Sequence, residues 1–265
     1  MSAEQRAAQD AAAGYAPPEE VVWHDLECGS YGADMPLWRE LAEPVDSAPI
    51  LDVGAGTGRV TLDLTGRGHR VSAMDISPAL LGALHARAGE GTVETLCADA
   101  RGFELEERGF ALALMPMQTL QLLGGSQARG AFFACVRSHL RADALLACAI
   151  VTALEPFDCA AGDLGPSPES VLVAGRRYVS RPTRVRVLAR SVAIERERRI
   201  VAARDGAGAR RGAPAVAERN IVELDRVSVA RLQHEALGAG LTPAGVREIP
   251  ATDDHVGSAV VMFRA

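Results

Sequence analysis

The sequence predicts an α/β fold: a doubly wound sheet of five parallel strands, a reversed terminal hairpin, and an antiparallel β insertion after the fifth strand. Three observations predict it. Short apolar runs alternate with helical patterns between residues 49 and 151, as in successive βα units. A glycine-rich turn, Gly54-Ala55-Gly56-Thr57-Gly58, joins the first run to the first helix. From about residue 155 the helical period gives way to the strict alternation of antiparallel strands.

Residues 1–20 are Ala-rich and end in Pro17-Pro18-Glu19-Glu20, which reads as a flexible arm or frayed helix. Residues 21–45 look helical around Met35-Pro36-Leu37-Trp38, with Pro36 suited to a helix start. Ile50, Leu51 and Val53 form a strand buried on both faces. After the glycine turn, Val60, Leu62 and Leu64 lie along a short helix closed by Gly66 and Gly68, and residues 69–74 extend to Asp75. Ser77-Pro78 is an N-cap followed by Pro at the first helical position, and that helix runs to about Arg87. Residues 92–98 are a third strand, followed by Asp99-Ala100. Residues 110–115 are a fourth, 128–140 a helix, and 144–151 a fifth strand. Five such units in sequence imply parallel strands with right-handed crossovers. Residues 171–180, 183–188, 192–202 and 217–224 alternate as antiparallel strands, with a turn or loose loop at 205–214. A helix at 227–237 stops at Gly238 and Gly240, and strands at 245–249 and 258–263 finish the fold. The expected division is an arm (1–20), a core with a cover helix (21–154), an antiparallel lid insertion (155–226), and a return completing the core (227–265).

All 28 basic residues are arginine. The absence of lysine excludes a Schiff-base lysine, a P-loop and a lysine general base. A net charge of −6 argues against nucleic acid or an anionic membrane as partner. The five cysteines form no C-x-x-C pair, so neither a zinc site nor a disulfide framework is indicated, and reduced thiols are expected. The first fourteen residues lack an apolar core, and the longest apolar run, 144–154, is too short to span a bilayer. A cytoplasmic protein, monomer or homodimer, is the expectation.

A dinucleotide fingerprint needs G-x-G-x-x-G, whereas the glycines here fall at 54, 56 and 58, with Arg59 where the third should be. Such a loop lets backbone N–H groups at a helix start face a ligand. Asp75, at the carboxyl end of the neighbouring strand, stands where a carboxylate can accept both hydroxyls of a ribose. The bland alternative is a βα turn with no ligand. The run Asp52-Val-Gly-Ala-Gly-Thr-Gly58 resembles motif I of the class I S-adenosylmethionine (SAM)-dependent methyltransferases, and the similarity extends over residues 21–154 and, by pattern, 226–265.

The resemblance implies SAM as donor and S-adenosylhomocysteine (SAH) as product. It implies that Asp52, Gly54, Ala55, Gly56 and Gly58 shape the methionine side of the donor site. It assigns Asp75 and Ile76 to the ribose, Asp99 and Ala100 to the adenine, and Met115 to the floor beneath the methyl group. Residues 23–41 resemble the helix that covers the pocket in small-molecule methyltransferases. Tyr31 is then a donor contact and Trp38 a packing residue, while His24 stands where relatives carry Tyr. The segment after Met115 lacks the N-P-P-Y pattern of enzymes acting on DNA or protein amides, which argues against a DNA or protein-glutamine acceptor. The resemblance implies a small-molecule acceptor, methylated on N or O rather than C, and the Ala/Arg/Gly-heavy usage points to a GC-rich bacterial genome and so to bacterial specialised metabolism.

Methyl transfer from a sulfonium needs in-line approach and a dry pocket; a hydroxyl acceptor also needs a base, whereas an amine has only to arrive neutral. Similar enzymes often carry His one residue beyond Gln121, but Leu122 stands here. His255, in Asp253-Asp254-His255, is the candidate base if the strand before it is parallel to the others; a solvated turn is the alternative. Gln118 and Gln121 are candidates to hold an acceptor or to fix the loop. Residues 176–219 carry thirteen arginines against four acids, a balance of +9 that leaves −15 for the rest. This is a lid that clamps an anionic substrate, a solvated sheet face, or a dimer contact. Two other functions fit less of the pattern: a nicotinamide-dependent Rossmann oxidoreductase, disfavoured by the glycine spacing, and a non-catalytic SAM-binding protein.

Overall fold

A computed structural model describes the chain apart from residues 90, 203–215 and 253–254. It forms two compact units: Met1–Tyr31 with Leu154–Glu223, and Gly32–Ala153 with Leu224–Ala265. No helix among the described residues is long and apolar enough to cross a membrane.

The first unit begins with α1 (Ala3–Ala12), α2 (Glu19–His24) and a π-helical turn at Asp25–Gly29. Residues 1–20, expected as a flexible arm or a frayed helix, hold the helix α1. Ser2 Oγ accepts from Gln5 N–H at 3.3 Å while Gln5 Oε1 accepts from Ser2 N–H at 2.7 Å, a reciprocal cap for two donors the helix itself leaves unpaired. Ala3 is buried in one cluster with Val22, Trp23, Leu26, Val171 and Tyr178, so the helix is held by packing as well as by its cap.

The second unit opens with α3 (Met35–Ala42) and proceeds through β1 (Ile50–Val53), α4 (Arg59–Thr65), β2 (Val71–Asp75), α5 (Pro78–Ala88), β3 (Glu94–Cys97), β4 (Phe110–Met115), α6 (Ser126–His139) and β5 (Leu140–Ile150). The chain then enters the first unit's strands β6 (Phe157–Asp158), β7 (Glu169–Val173), β8 (Arg176–Val187), β9 (Ser191–Ala202) and β10 (Val216–Asp225). It returns as α7 (Val229–Leu237), β11 (Thr242–Ile249) and β12 (Ser258–Arg264).

The seven-stranded sheet has the order β11-β12-β5-β4-β1-β2-β3. Strand β1 pairs in parallel with both β2 and β4, so the strand order reverses beside it, where open α/β sheets bind their ligands. Strand β12 is antiparallel to β5 and β11 antiparallel to β12, so β11 runs with the parallel strands and its carboxyl end lies on their carboxyl edge. Every residue of β1 and β4 is buried, as their unbroken apolar runs require of strands covered on both faces. Phe132, Phe133 and Val136 of α6 pack into the main core, the Phe133 ring lying 5.5 Å from that of Phe263.

In the first unit the sheet order is β10-β9-β8-β6, with β7 also paired to β8. The expected strands 171–180 and 183–188 divide differently. Ala174 and Gly175, at φ 47° and 74°, form a two-residue hairpin between Val173 and Arg176. Strand β8 then continues past Pro182, taken up by a register shift between Pro182 and Arg184. Glu27 is the hub of the unit. It accepts from Arg198 Nε (2.8 Å) and Nη2 (2.7 Å) and from Ser180 Oγ (2.7 Å), and Arg198 lies 5.3 Å over the Trp23 ring. Burial alone would raise the Glu27 pKa, but Arg198, Arg196 and Ser180 hold it below its usual value. The insertion's arginines likewise meet acids of the same unit: Arg186 pairs with Glu195 at 3.0 Å, Arg176 with Glu19 at 2.8 Å, and Arg184 with Asp158. The expected turn at 205–214 lies outside the described residues.

Candidate active site

Gly54, Gly56 and Gly58 all take left-handed backbone, at φ 73°, 56° and 88°. Two of them are glycine for reasons internal to the protein. A Cβ on Gly54 would stand 2.4 Å from Thr119 Cγ2, and one on Gly58 would stand 2.3 Å from Leu84 Cδ1. The loop that follows β4 therefore backs directly onto the glycine turn, and α5 onto the start of α4. Gly54→Ala is expected to cost about 3 kcal/mol, part clash and part left-handed strain of about 1–2 kcal/mol. Adding Thr119→Ala should return the clash portion alone. Urea unfolding of the two single variants and the double variant measures this; a double variant no more stable than Gly54→Ala would remove Thr119 from the explanation.

The turn is tied to β2 by Gly54 and Ala55 N–H groups donating to the Met74 carbonyl at 2.8 and 2.9 Å. Asp75 closes it: Oδ2 accepts from Gly56 N–H at 2.8 Å and Oδ1 from Ser77 N–H at 2.9 Å. Each carboxylate oxygen thus keeps a further lone pair, a pattern suited to a vicinal diol. Ile76, next along, is an exposed large apolar side chain, and Cys97 Sγ at the end of β3 contacts its carbonyl at 3.6 Å.

Beneath the turn, Asp52 is 1% exposed. Thr61 Oγ1 donates to its Oδ2 at 2.6 Å, while Oδ1 has no partner among the described residues. Burial pushes its pKa up to about 6, against the Thr61 hydroxyl and the Arg59 charge, which favour ionisation. A carboxylate raised above its unfolded value contributes stability that is complete below about pH 4 and is lost as pH rises through about 6. The stability difference between wild type and Asp52→Asn should therefore shift by about 1 kcal/mol in favour of wild type on going from pH 8 to pH 5. Urea unfolding of both proteins at both pH values tests this, and a constant difference would mean that Asp52 does not titrate in that range.

Arg59 occupies the position of the missing third glycine and points away from any ligand role. Its Nη1 and Nη2 donate to Asp34 Oδ1 and Oδ2 at 2.6 and 2.8 Å, and Trp38 Nε1 donates to Asp34 Oδ2 at 2.7 Å. Side-chain exposures of 10% and 2% make this a buried ion pair that fastens α3 to the start of α4. Nothing in the sequence announced Asp34, which lies 25 residues from its partner.

At the end of β3, Asp99 and Ala100 are half-buried, and the Asp99 carboxylate is engaged by Arg101 through both the backbone N–H (2.8 Å to Oδ1) and Nε (2.9 and 3.0 Å). These bonds and the guanidinium charge hold its pKa below the usual carboxylate value. Met115 is fully buried at the end of β4. The next turn passes through Met117 in left-handed backbone, at φ 56°. Gln118 is half-buried there, and its side chain makes no hydrogen bond among the described residues.

Gln121 has a different task from the one expected of an acceptor-binding residue. It is 3% exposed, and its Nε2 donates to the carbonyls of Val151 (3.1 Å) and Asp225 (2.8 Å) while Oε1 accepts from Val151 N–H (2.7 Å). With its amide so engaged, the side chain clasps the outgoing and returning chain at the end of β5. Arg129 reinforces the same corner, paired with Asp225 and with Glu235 at 2.8 Å. His255 follows β11 on the carboxyl edge, its backbone bonded to Thr252 in both directions, at 2.8 and 3.1 Å. Its neighbours Asp253 and Asp254 lie outside the described residues. Tyr31 is buried and closes the first segment of the other unit. The described residues contain no His/Cys/Asp/Glu group suited to a metal ion.

Residues 50–143 match a family model described as a methyltransferase domain. None of the curated proteins compared with the chain matches it. Three solved structures are similar over most of their length. A sugar N-methyltransferase from a Streptoalloteichus species is 16% identical with a TM-score of 0.68, covering 94% of each chain. A SAM-bound amino pentose methyltransferase from Micromonospora echinaspora, involved in calicheamicin biosynthesis, is 19% identical with a TM-score of 0.64, covering 89% of this chain and 93% of that one. A 1,6-didemethyltoxoflavin-N1-methyltransferase from Burkholderia thailandensis is 19% identical with a TM-score of 0.53, covering 99% and 87%. At these identities the structures establish a shared fold.

Proposed function

We propose that this chain, a class I methyltransferase by the domain at residues 50–143, transfers the methyl group of SAM to the amine of a small polar acceptor, an amino sugar above all, in bacterial specialised metabolism. The observation that carries the donor reading is Asp75, whose two oxygens are each oriented by one backbone N–H and face the switch point of the sheet with lone pairs left for a ribose diol. Around it, Gly56 allows close approach and Ile76 offers an apolar surface for the nucleoside. Bound there, SAM supplies an electrophilic methyl group. The protein's part is to hold the donor, exclude water and set the approach line.

An amine acceptor is supported by two features. The carboxylates of this edge are already engaged, Asp75 by Gly56 and Ser77 and Asp99 by Arg101, and the His255 loop is separated from Met115 by β5 and β12. The three similar structures are described as a sugar N-methyltransferase, an N1-methyltransferase and an amino pentose methyltransferase, the last involved in calicheamicin biosynthesis. Calorimetry with SAM and with NADPH tests the donor. Mass spectrometry of amino sugars, set beside the same sugars with the amine replaced by hydroxyl, tests the acceptor. Methylation confined to the hydroxyl series would overturn the amine reading and return His255 to consideration as a base. Asp75→Ala should weaken SAM about thirtyfold, the scale of lost charge-assisted hydrogen bonds. Unchanged affinity in the folded variant would take Asp75 out of the site.

A further inference from the structure

The Asp99 carboxylate is the group at the carboxyl end of β3 assigned to the purine amino group, yet in this structure its accepting capacity is already filled. Oδ1 takes the Arg101 backbone N–H at 2.8 Å, Nε is shared between the two oxygens at 2.9 and 3.0 Å, and Nη2 sits on Oδ2. A carboxylate offers about four acceptor positions, so an incoming amino group must displace a guanidinium N–H to be accepted. Arg101 is two residues along the same loop and its side chain is 53% exposed, so it can swing into solvent without disturbing the sheet. The pair thus presents two opposite chemistries to one edge of a purine: an acceptor that suits a 6-amino group and a donor that suits a 6-oxo group.

We propose that Arg101 is a specificity-determining residue of the nucleoside site, competing with an adenine amino group for Asp99 while offering a hydrogen bond to a 6-oxo purine. This rests on the reading of the chain as a SAM-dependent enzyme. An exposed ion pair is weak, so displacement is easily reversed, and the guanidinium returns to Asp99 as the adenosyl product leaves. Arg101 lowers affinity for SAH by this competition and narrows the preference for adenine over hypoxanthine. Because salt screens exposed charge pairs, SAH should bind wild type more tightly as ionic strength rises.

Titration calorimetry with SAH and with its 6-oxo counterpart, S-inosylhomocysteine, tests the proposal on wild type and Arg101→Ala. The variant should bind SAH about threefold more tightly and S-inosylhomocysteine about threefold more weakly, the scale of one exposed charge-assisted contact. The salt dependence of SAH binding should vanish in the variant. Opposite shifts for the two ligands separate direct competition from a general change in the loop, which would move both in one direction. Shifts of the same sign, or no shift, in a wild type that binds SAH would overturn the role of Arg101 and leave the methyltransferase reading intact. A wild type that binds neither ligand would overturn that reading, and the inference with it.

Discussion

Asp34→Ala should lower stability by about 3–5 kcal/mol in urea unfolding, the usual consequence of removing one partner from a buried ion pair. Asp34 is almost wholly enclosed and receives two N–H groups from Arg59 and one from Trp38, so its loss removes both charge-assisted bonds from the guanidinium and the acceptor of the indole N–H at once. Replacing both charges, as Asp34→Ala with Arg59→Met, should recover most of the loss, because an apolar pair removes the uncompensated charge. Since Arg59 directly follows Gly58, the single variant should also bind SAM more weakly, which calorimetry would register. A single variant as stable as wild type would mean that Arg59 finds another partner.

Gln121→Leu should be nearly as damaging, at about 3 kcal/mol, although the side chain keeps its approximate volume. Two carbonyls and one N–H then lose their partner in a buried corner, at roughly 1–3 kcal/mol for each orphan, with some relief from water. Gln121→Glu should do no better, since it sets a carboxylate against the carbonyls of Val151 and Asp225. Hydrogen exchange at the Val151 amide is the direct check: it should accelerate in both variants, while the β1–β2 amides are slowed as before. Protection retained at Val151 would show that the clasp is not what holds the corner.

These sites differ in how much of them the chain announces locally. The glycine turn and Asp75 were legible because the chemistry of a strand–turn–helix unit is written in adjacent residues, and the apolar runs of β1 and β4 declare strands buried on both faces. Contacts across long separations left no such trace. Thr119 decides why residue 54 is glycine from 65 positions away, and Gln121 meets Asp225 across 104 residues. A candidate for acceptor contact thereby became a clasp. The helix at Ala3–Ala12 was legible after all: Ser2-x-x-Gln5 is a capping-box pattern, overshadowed by the Ala-rich composition around it. The Ala174-Gly175 hairpin was hidden because Ala is an uncommon occupant of left-handed backbone.

The Glu27 hub also fixes the order in which the chain can complete itself during synthesis. Its partner Arg198 lies 171 residues downstream, so at translation rates of roughly 5–20 residues per second the N-terminal segment waits on the order of ten seconds or more for its docking strand. Helix α1 and Trp23 emerge first and wait for Val171 and Tyr178, the distant members of their cluster, to be made. The other unit waits longer, because β12, which sits between β5 and β11 in its sheet, spans Ser258–Arg264. The first unit, complete at Glu223, can close while residues 224–265 of the other are still being made. Non-local pairing of this kind makes for slow folding, with the unpaired edge of β5 exposed until β12 has been made.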